Sequence, residues 1–486
     1  MSGGRRPIRG HRNGTARPPP KFVTGSLLNH ILVMTGAGAL GLVAIFIGDL
    51  ANIYFLSLLG DEAIVAAVGY ASSIILLTIS IGIGLAIAAT ALVSPALGAG
   101  RRPLARRLSA SAHAWTFVVA CLLSILVWVL IPSLLTLLGA AGRTHQLAAS
   151  YLEIQVPALP FLALGMTSSA VLRSVGDASR AMYVTLFGAA TNILLDPLLI
   201  FTFELGIEGA AIASALSRVA VMAMGFYGVI VVHRLMTRPD LARMRKDALP
   251  LARVALPAVT TNIATPAANA YVTAAIAGYG DSAVAGWAII GRIIPVAFGA
   301  IYALSGNVGP IIGQNYGARS VDRMRETLTL SLVVTAAYTL AAWFALWLLS
   351  DQIVAVFRAD GEAARLIGLF CAWLSPLFVF LGALFVANAV FNTLGRATVS
   401  TALNWGRATL GTVPFVLAGG ALLGADGVLI GNMLGGIVFG ILAVVLCYRL
   451  MDRLAAEWPD GVPQRQPSVR RLESPDEPPT QGLPLQ

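Results

Sequence analysis

Twelve long apolar runs dominate this sequence of 486 residues. A helix that crosses the hydrocarbon core of a bilayer needs roughly 20 apolar residues, and every one of these runs is that long. They share the length and continuity of spanning helices and lack the polar–apolar alternation of barrel strands. We place them at 28–57, 63–93, 113–139, 147–172, 182–204, 208–232, 250–278, 283–312, 328–350, 362–393, 398–422 and 427–450.

The composition supports this interpretation. Hydrophobic residues make up 57% of the chain and charged residues only 12%, about half the charged fraction of an average soluble domain. So few charges do not cover a water-facing surface of this size. The sequence therefore excludes a soluble enzyme and predicts an all-α polytopic membrane protein with twelve transmembrane helices.

The basic residues are distributed unevenly between the two ends of the predicted helices. Of the 33 Lys and Arg residues, 27 lie in the termini and even-numbered connections or at the run ends next to them, 3 lie in the odd-numbered connections or at the run ends next to them, and 3 lie deeper within the runs. Such a bias marks the cytoplasmic side. We therefore expect a multi-pass protein of the inner (plasma) membrane with both termini in the cytoplasm. The positive charge is then a topology signal facing anionic lipid, and we expect no nucleic-acid partner.

The two halves of the chain repeat short motifs at a nearly constant spacing of 215–220 residues. The pairs are 59–63 with 279–283, 95–98 with 310–313, 175–176 with 394–395, and 206–209 with 424–427. Six spans in each half give both halves the same orientation, as in transporters with parallel repeats. We predict two pseudo-symmetric six-helix lobes at 28–232 and 250–450, a cytoplasmic linker at 233–249, and disordered tails at 1–27 and 451–486.

Two carboxylates lie deep inside predicted spans, and both belong to the first lobe. Asp49 lies in the first span and Asp196 in the fifth, where Asn192 precedes it by four residues and so shares its helix face. Ionisable residues at this depth are functional candidates. Two carboxylates in a medium of low dielectric constant repel each other, and a proton, a Na⁺ ion or a cationic substrate relieves that repulsion. With the hydroxyl of Ser214 in the sixth span, these residues form the predicted coupling-ion site.

Two alternatives remain open for these acids: each Asp caps a broken helix, or it pairs with Arg218. The repeat does not copy the acids into the second lobe, because the counterparts of Asp49 and Asp196 are Asn269 and Pro414. This asymmetry favours an ion site in the first lobe alone. The chain carries no phosphate-binding loop or hydrolase signature, so we expect neither an enzyme nor a cofactor other than the coupling ion.

At these residues the sequence resembles the MATE (multidrug and toxic compound extrusion) family over about 30–450. The segments that carry the resemblance are 192–201 followed by 206–214, 172–177, which resembles an LRGxGD turn, and 308–318, which resembles a PxxGQNxGA segment. The resemblance implies cation-coupled export of organic, often cationic, compounds. It assigns Asp49, Asn192 and Asp196 to the coupling-ion site, as metal ligands if the ion is Na⁺. The corresponding segments of the seventh and tenth spans, 256–262 and 378–383, carry no acid, which makes the chain resemble the DinF-like branch more closely.

Other polar and aromatic side chains are candidates for a substrate cavity in the second lobe. They are Asn262, Asn269, Tyr271, Arg292 and Trp405. Aromatic rings can bind cationic compounds through cation–π contacts, although core packing is the alternative for each ring. The three arginines within spans, Arg218, Arg292 and Arg407, can contact substrate or phosphate, or can neutralise an acid or extend to the interface.

We therefore predict a secondary active antiporter that exports hydrophobic or cationic organic compounds in exchange for H⁺ or Na⁺ by alternating access. We expect it to act as a monomer in the bilayer. The alternative within the same superfamily is a flippase for a lipid-linked saccharide, which favours a large anionic ligand and a ring of basic residues. A channel or a receptor is a further alternative, because neither exchanges substrate for an ion.

Overall fold

The computed structural model describes residues 20–238 and 240–458, and these residues form long helices joined by short connections. The first lobe contains six spans: Leu27–Ser57, Glu62–Gly98, Arg102–Leu137, Gly142–Val175, Ala178–Thr202 and Gly206–Val232. The second lobe contains Leu241–Ala277, Asp281–Gly317, Val321–Leu348, Gly361–Thr393 and the stretch Ala397–Glu457. A short helix, Ser350–Val356, lies between the ninth and tenth spans.

The last stretch contains two spans, which confirms the prediction of twelve. Its helix Val413–Glu457 bends sharply at Gly424, whose φ of 65° and ψ of −142° suit glycine alone. The arms on either side pack antiparallel, because β-carbons added at Gly427 and Gly431 would overlap the backbone at Gly419 and Phe415. Small residues permit this close helix contact in a membrane. The eleventh span thus runs from Ala397 to the bend and the twelfth from the bend to Glu457.

Several helices extend beyond the predicted apolar runs. The third begins at Arg102 instead of 113, the seventh at Leu241 instead of 250, and the twelfth ends at Glu457 instead of 450. Hydrophobicity marks only the part of a helix inside the bilayer, whereas polar contacts stabilise the extensions. Arg107 and Ser111 donate to Asp247 at 2.8 and 2.7 Å, so part of the predicted linker is a helix held against the third span.

The predicted tails fall mostly on residues 1–19 and 459–486, which lie outside the described residues. Residues 20–26, however, pack between the two lobes. The Phe22 side chain is fully buried, and the Phe22 backbone N–H donates to the Gln314 side chain of the eighth span at 2.9 Å. Lys21 donates to the Gly176 carbonyl of the first lobe at 2.6 Å. This short segment therefore bridges the lobes ahead of the first span.

The two lobes are closely packed at one end of the molecule. We call it the basic end, because it contains the arginine-rich connections that follow the second, fourth, sixth, eighth and tenth spans. There the C-terminal turns of the second and eighth spans touch, and a β-carbon added at Gly98 would lie 2.5 Å from the Gln314 Cα. Gln314 also donates to the Ser174 carbonyl at 2.7 Å.

Hydrogen bonds between the spans of the two lobes mark which end is closed. Within the described part of the chain, these bonds join residues 22–34 or Ser174 to residues 307–323. They also join residues 107–115 of the third span to Met244 and Asp247 of the seventh. The deepest of them runs from Asn307 to the Met34 carbonyl at 2.9 Å. All of these groups lie in the basic half of their spans. The structure is therefore a conformation closed at the basic end.

Candidate functional site

Asp196 of the fifth span lies at the centre of a polar cluster inside the first lobe. Its side chain is fully buried, and its Oδ2 accepts hydrogen bonds from Asn192 and Asn52 Nδ2, each at 3.0 Å. The bond from Asn192 follows from the four-residue spacing on one helix face, whereas Asn52 comes from the first span. The second carboxylate oxygen, Oδ1, is buried and has no hydrogen-bond partner among the described residues.

The backbone around Asp196 is irregular. Pro197 follows it and has no N–H to donate. From Leu198 to Thr202 the helix changes to the wider i→i+5 pattern, as in the bond from the Phe203 N–H to the Leu198 carbonyl at 3.0 Å. Such bulges often occur at functional sites. The acid therefore sits at the turn where the fifth span loses its regular hydrogen bonding.

Asp49 lies three residues before Asn52 on the first span and is exposed, in contrast to the buried Asp196. The two acids share a neighbour, since Tyr151 of the fourth span lies within electrostatic range of both carboxylates and of Arg218. Ser214 lies one turn before Arg218 on the sixth span and shares its helix face. The predicted residues Asp49, Asn192, Asp196 and Ser214 thus belong to one neighbourhood.

Arg218 lies one turn after Ser214 on the sixth span and is only 8% exposed. It donates to the Gln155 backbone carbonyl at 2.6 Å and also to the Gln155 side-chain oxygen. Among the described residues it forms no ion pair, although its charge acts on Asp49. The sequence alternative in which Arg218 pairs with an acid is therefore not the observed contact.

Sequence reasoning missed three members of this cluster: Asn52, Tyr151 and Gln155. A signal was present for each. Asn52 follows Asp49 by three residues, and Gln155 follows Tyr151 by four, so both pairs share a helix face. The cluster as a whole offers carboxylate, amide and hydroxyl oxygens, which are ligands for Na⁺, and its carboxylates can also accept H⁺. No group of three or more His, Cys, Asp or Glu side chains forms a metal site in residues 20–238 and 240–458.

In the part of the chain that the structure describes, no hydrogen bond joins the candidate cavity residues of the second lobe to one another. Trp405 donates to the Thr260 carbonyl at 3.0 Å, which places it against the seventh span, two residues before Asn262 in that helix. Asn269 lies about 10 Å further along that helix and is exposed. Tyr271 packs against a buried apolar cluster, and Arg292 is exposed on the eighth span.

The turn after the fourth span has a structural role at the basic end. Asp177 caps the fifth span through the Arg180 N–H at 3.1 Å and accepts from the Arg180 and His233 side chains at 2.6 and 2.7 Å. Burial alone raises the pKa of this carboxyl, but the hydrogen bonds from His233 and Arg180 outweigh burial and hold the pKa well below its usual range. The turn thus ties the fourth and fifth spans to the end of the sixth.

A family model described as MatE matches the chain twice, over residues 38–198 and 257–417. The chain belongs to this family. The second match begins 219 residues after the first, the spacing that the sequence repeat predicts. Members of this family are transporters, and the chain is a multi-pass membrane protein.

Curated relatives and solved structures agree with this assignment. The chain is 30% identical to the FAD transporter of Shewanella oneidensis, over 88% of this chain and 96% of the relative. It is 23% identical to the multidrug export protein MepA of Staphylococcus aureus, over 84% and 90%. The MATE transporter VcmN of Vibrio cholerae in its bent form has the same fold, with a TM-score of 0.83, 23% identity, and coverage of 88% of this chain and 98% of that one.

Proposed function

We propose that the protein is a secondary active antiporter that exports organic compounds in exchange for H⁺ or Na⁺. The observation that supports this most directly is the environment of Asp196. Two amides hold one carboxylate oxygen, while the other is buried and has no hydrogen-bond partner within residues 20–238 and 240–458. A buried carboxylate is costly unless a cation or hydrogen bonds compensate it. A proton or a Na⁺ ion at Oδ1 supplies that compensation, so Asp196 is the proposed coupling residue.

The transport cycle follows from the closed end of the molecule. We propose that the basic end faces the cytoplasm, as the distribution of Lys and Arg predicts, in a plasma membrane. In the conformation described, the site is then closed to the cytoplasm and reached from outside. An ion that binds Asp196 more tightly in one conformation shifts the lobes towards it, because only differential affinity moves a conformational equilibrium. Rocking of the lobes then exposes substrate to alternate sides.

The proposed substrates are small organic compounds, often cationic or hydrophobic, and the relative named as a multidrug export protein supports this class. A second candidate is export of an anionic flavin nucleotide, which the relative named FAD transporter favours. We propose that the chain transports as a monomer. The flippase alternative requires a ring of basic residues, whereas Arg218 is already bound to Gln155.

Everted membrane vesicles test the proposal. Ethidium accumulation is measured with no gradient, with an acidic interior, and with a Na⁺-loaded interior. We expect one gradient to drive accumulation through the wild type and Asp196→Asn to abolish it. Asp281→Asn, which alters an exposed acid at the start of the eighth span, is the matched control and retains it.

Absence of gradient-driven accumulation of ethidium and of FAD, tested in the same vesicles, would contradict the antiporter. Accumulation of FAD but not ethidium would select the flavin candidate. Translocation of a fluorescent lipid-linked saccharide, without uptake of either soluble compound, would instead support the flippase.

A further inference from the structure

Arg407 is a buried intramembrane cation that the coupling site does not use. It lies on the eleventh span and is only 5% exposed. Its Nη2 donates to the Thr265 hydroxyl of the seventh span at 3.2 Å, and its Nε is buried without a hydrogen-bond partner among the described residues. None of the ion pairs within residues 20–238 and 240–458 includes it.

The sequence around this guanidinium offers no acid to neutralise it. The seventh span from residue 248 onward and the eleventh span lie in segments 248–280 and 363–425, which contain neither Asp nor Glu. Asp247, near the start of the seventh span, is bound by Arg107 and Ser111. Arg218 in the first lobe differs, because Gln155 accepts from it twice and the charge of Asp49 acts on it. A buried charge without a counter-ion is costly, so Arg407 is built to receive an anion from outside the protein.

The backbone at Arg407 is that of a ligand site near the middle of the membrane. The helix Ala397–Ala408 ends one residue after Arg407, and the next begins at Val413. Ten residues from Ala397 correspond to about 15 Å along the helix, half of the roughly 30 Å hydrocarbon core. Interrupted helices at this depth line substrate sites in transporters.

Aromatic side chains complete the surroundings. Trp405, two residues before Arg407, is 37% exposed and is held by its bond to the Thr260 carbonyl. Tyr302 of the eighth span is 36% exposed and lies within electrostatic range of the guanidinium. A planar ring can pack against Tyr302 while a phosphate or carboxylate on the same molecule reaches Arg407, since guanidinium binds both groups in bidentate fashion.

We propose that Arg407 binds the anionic group, a phosphate or carboxylate, of an aromatic organic substrate in the second lobe. This inference rests on the proposed function as an exporter and assigns separate lobes to the two ligands. The coupling ion binds Asp196 in the first lobe, and the substrate anion binds Arg407 in the second. A phospholipid headgroup carries the same phosphate chemistry, so the experiment separates a lipid from a soluble substrate.

The test compares riboflavin with riboflavin 5′-phosphate, which share a fluorescent ring and differ only by the phosphate. Equilibrium binding to the purified full chain in phosphatidylcholine nanodiscs is measured by fluorescence quenching. We expect the phosphate ester to bind at least about tenfold more tightly to the wild type. This preference disappears in Arg407→Gln, is partly kept in Arg407→Lys, and is unchanged in Arg396→Gln, which alters an exposed arginine just before the eleventh span.

Three results would overturn the proposal. The first is equal affinity of the wild type for the two flavins, and the second is a preference that survives in Arg407→Gln. The third is a loss of the preference in phosphatidylglycerol nanodiscs, which would assign the site to a lipid headgroup. Thermal melting shows whether Arg407→Gln is folded, and Arg407→Lys provides the test if it is not.

Binding is measured without any ion gradient, so the two proposals fail separately. Absence of gradient-driven transport removes the antiporter but leaves the phosphate preference in place. Absence of the preference removes the role of Arg407 but leaves ion-driven transport in place.

Discussion

Gly98 and Gln314 bring the second and eighth spans into contact at the basic end, and a single methyl group there tests whether this contact closes the transporter. In Gly98→Ala, the new β-carbon would lie 2.5 Å from the Gln314 Cα. Carbon atoms in contact are about 3.5–4.0 Å apart, so the helices must separate by about 1 Å or more. Overpacking of this kind costs about 1–3 kcal/mol, which corresponds to a roughly 5- to 150-fold shift towards the conformation open at the basic end.

The assay is alkylation of a cysteine at this contact. Ser174 is fully buried and its carbonyl accepts from Gln314, so Ser174→Cys reports opening between the lobes. Cys121 and Cys371 are replaced by alanine, and the buried Cys447 is kept as a reporter of unfolding. We expect Gly98→Ala to raise the alkylation rate at position 174 at least about fivefold, within that range, with no increase at Cys447.

Gly306→Ala is the matched control, because a β-carbon added on the same eighth span at Gly306 meets nothing within 4 Å. Equal rates at position 174 in Gly98→Ala and Gly306→Ala would refute the idea that this contact holds the basic end closed. A parallel rise at Cys447 would show unfolding instead of opening.

Three further predictions concern the site, the basic end and the bend. Asn52→Leu removes one of the two amide donors to Asp196, and a hydrogen bond to a charged group contributes roughly 1.5–3 kcal/mol. We therefore expect ion-driven ethidium accumulation to fall at least about tenfold. Asn29→Leu, which alters an exposed position, is the control and retains the accumulation. Asp177→Asn lowers the free energy of unfolding by about 1–3 kcal/mol at pH 7. Because the folded pKa of Asp177 is depressed, this loss of stability is full above the unfolded pKa near 4 and shrinks as the pH falls below that value. Thermal melting in detergent measures the difference between the two proteins, and a difference that grows in acid would contradict this prediction. Gly424→Ala places a side chain at φ 65° and ψ −142°, which costs about 1–3 kcal/mol of folding free energy. We expect its melting temperature to fall relative to that of Gly436→Ala, whose β-carbon meets no described neighbour within 4 Å. Equal melting temperatures would be inconsistent with strain at the bend.

The number and type of helices could be predicted from hydropathy alone, because a spanning helix is set by the thickness of the bilayer. Their ends could not. Arg102 and Leu241 begin helices well outside the apolar runs, and contacts such as Arg107 with Asp247 stabilise those turns. Such pairs join residues 140 apart in sequence, and no local pattern reveals them.

The contacts in the candidate site that follow from helix periodicity alone could be predicted from the sequence. The four-residue spacing of Asn192 and Asp196 predicts their shared face, and they form the expected contact at 3.0 Å. Asn52 and Gln155 depend on how the first, fourth and sixth spans pack, because a polar residue in a span faces either a site or a neighbouring helix with equal ease. Arg407 is similar: its position in a span was visible, but its burial without an acid required the packed structure.

The most direct test of the central claim is the ion flux that substrate elicits. The movement of H⁺ or Na⁺ across the membrane of proteoliposomes is recorded when ethidium is added, under the same conditions for the wild type and each variant. We expect a substrate-dependent flux of one ion through the wild type and Asp281→Asn, and none through Asp196→Asn. An undiminished flux through Asp196→Asn would show that the coupling ion binds elsewhere.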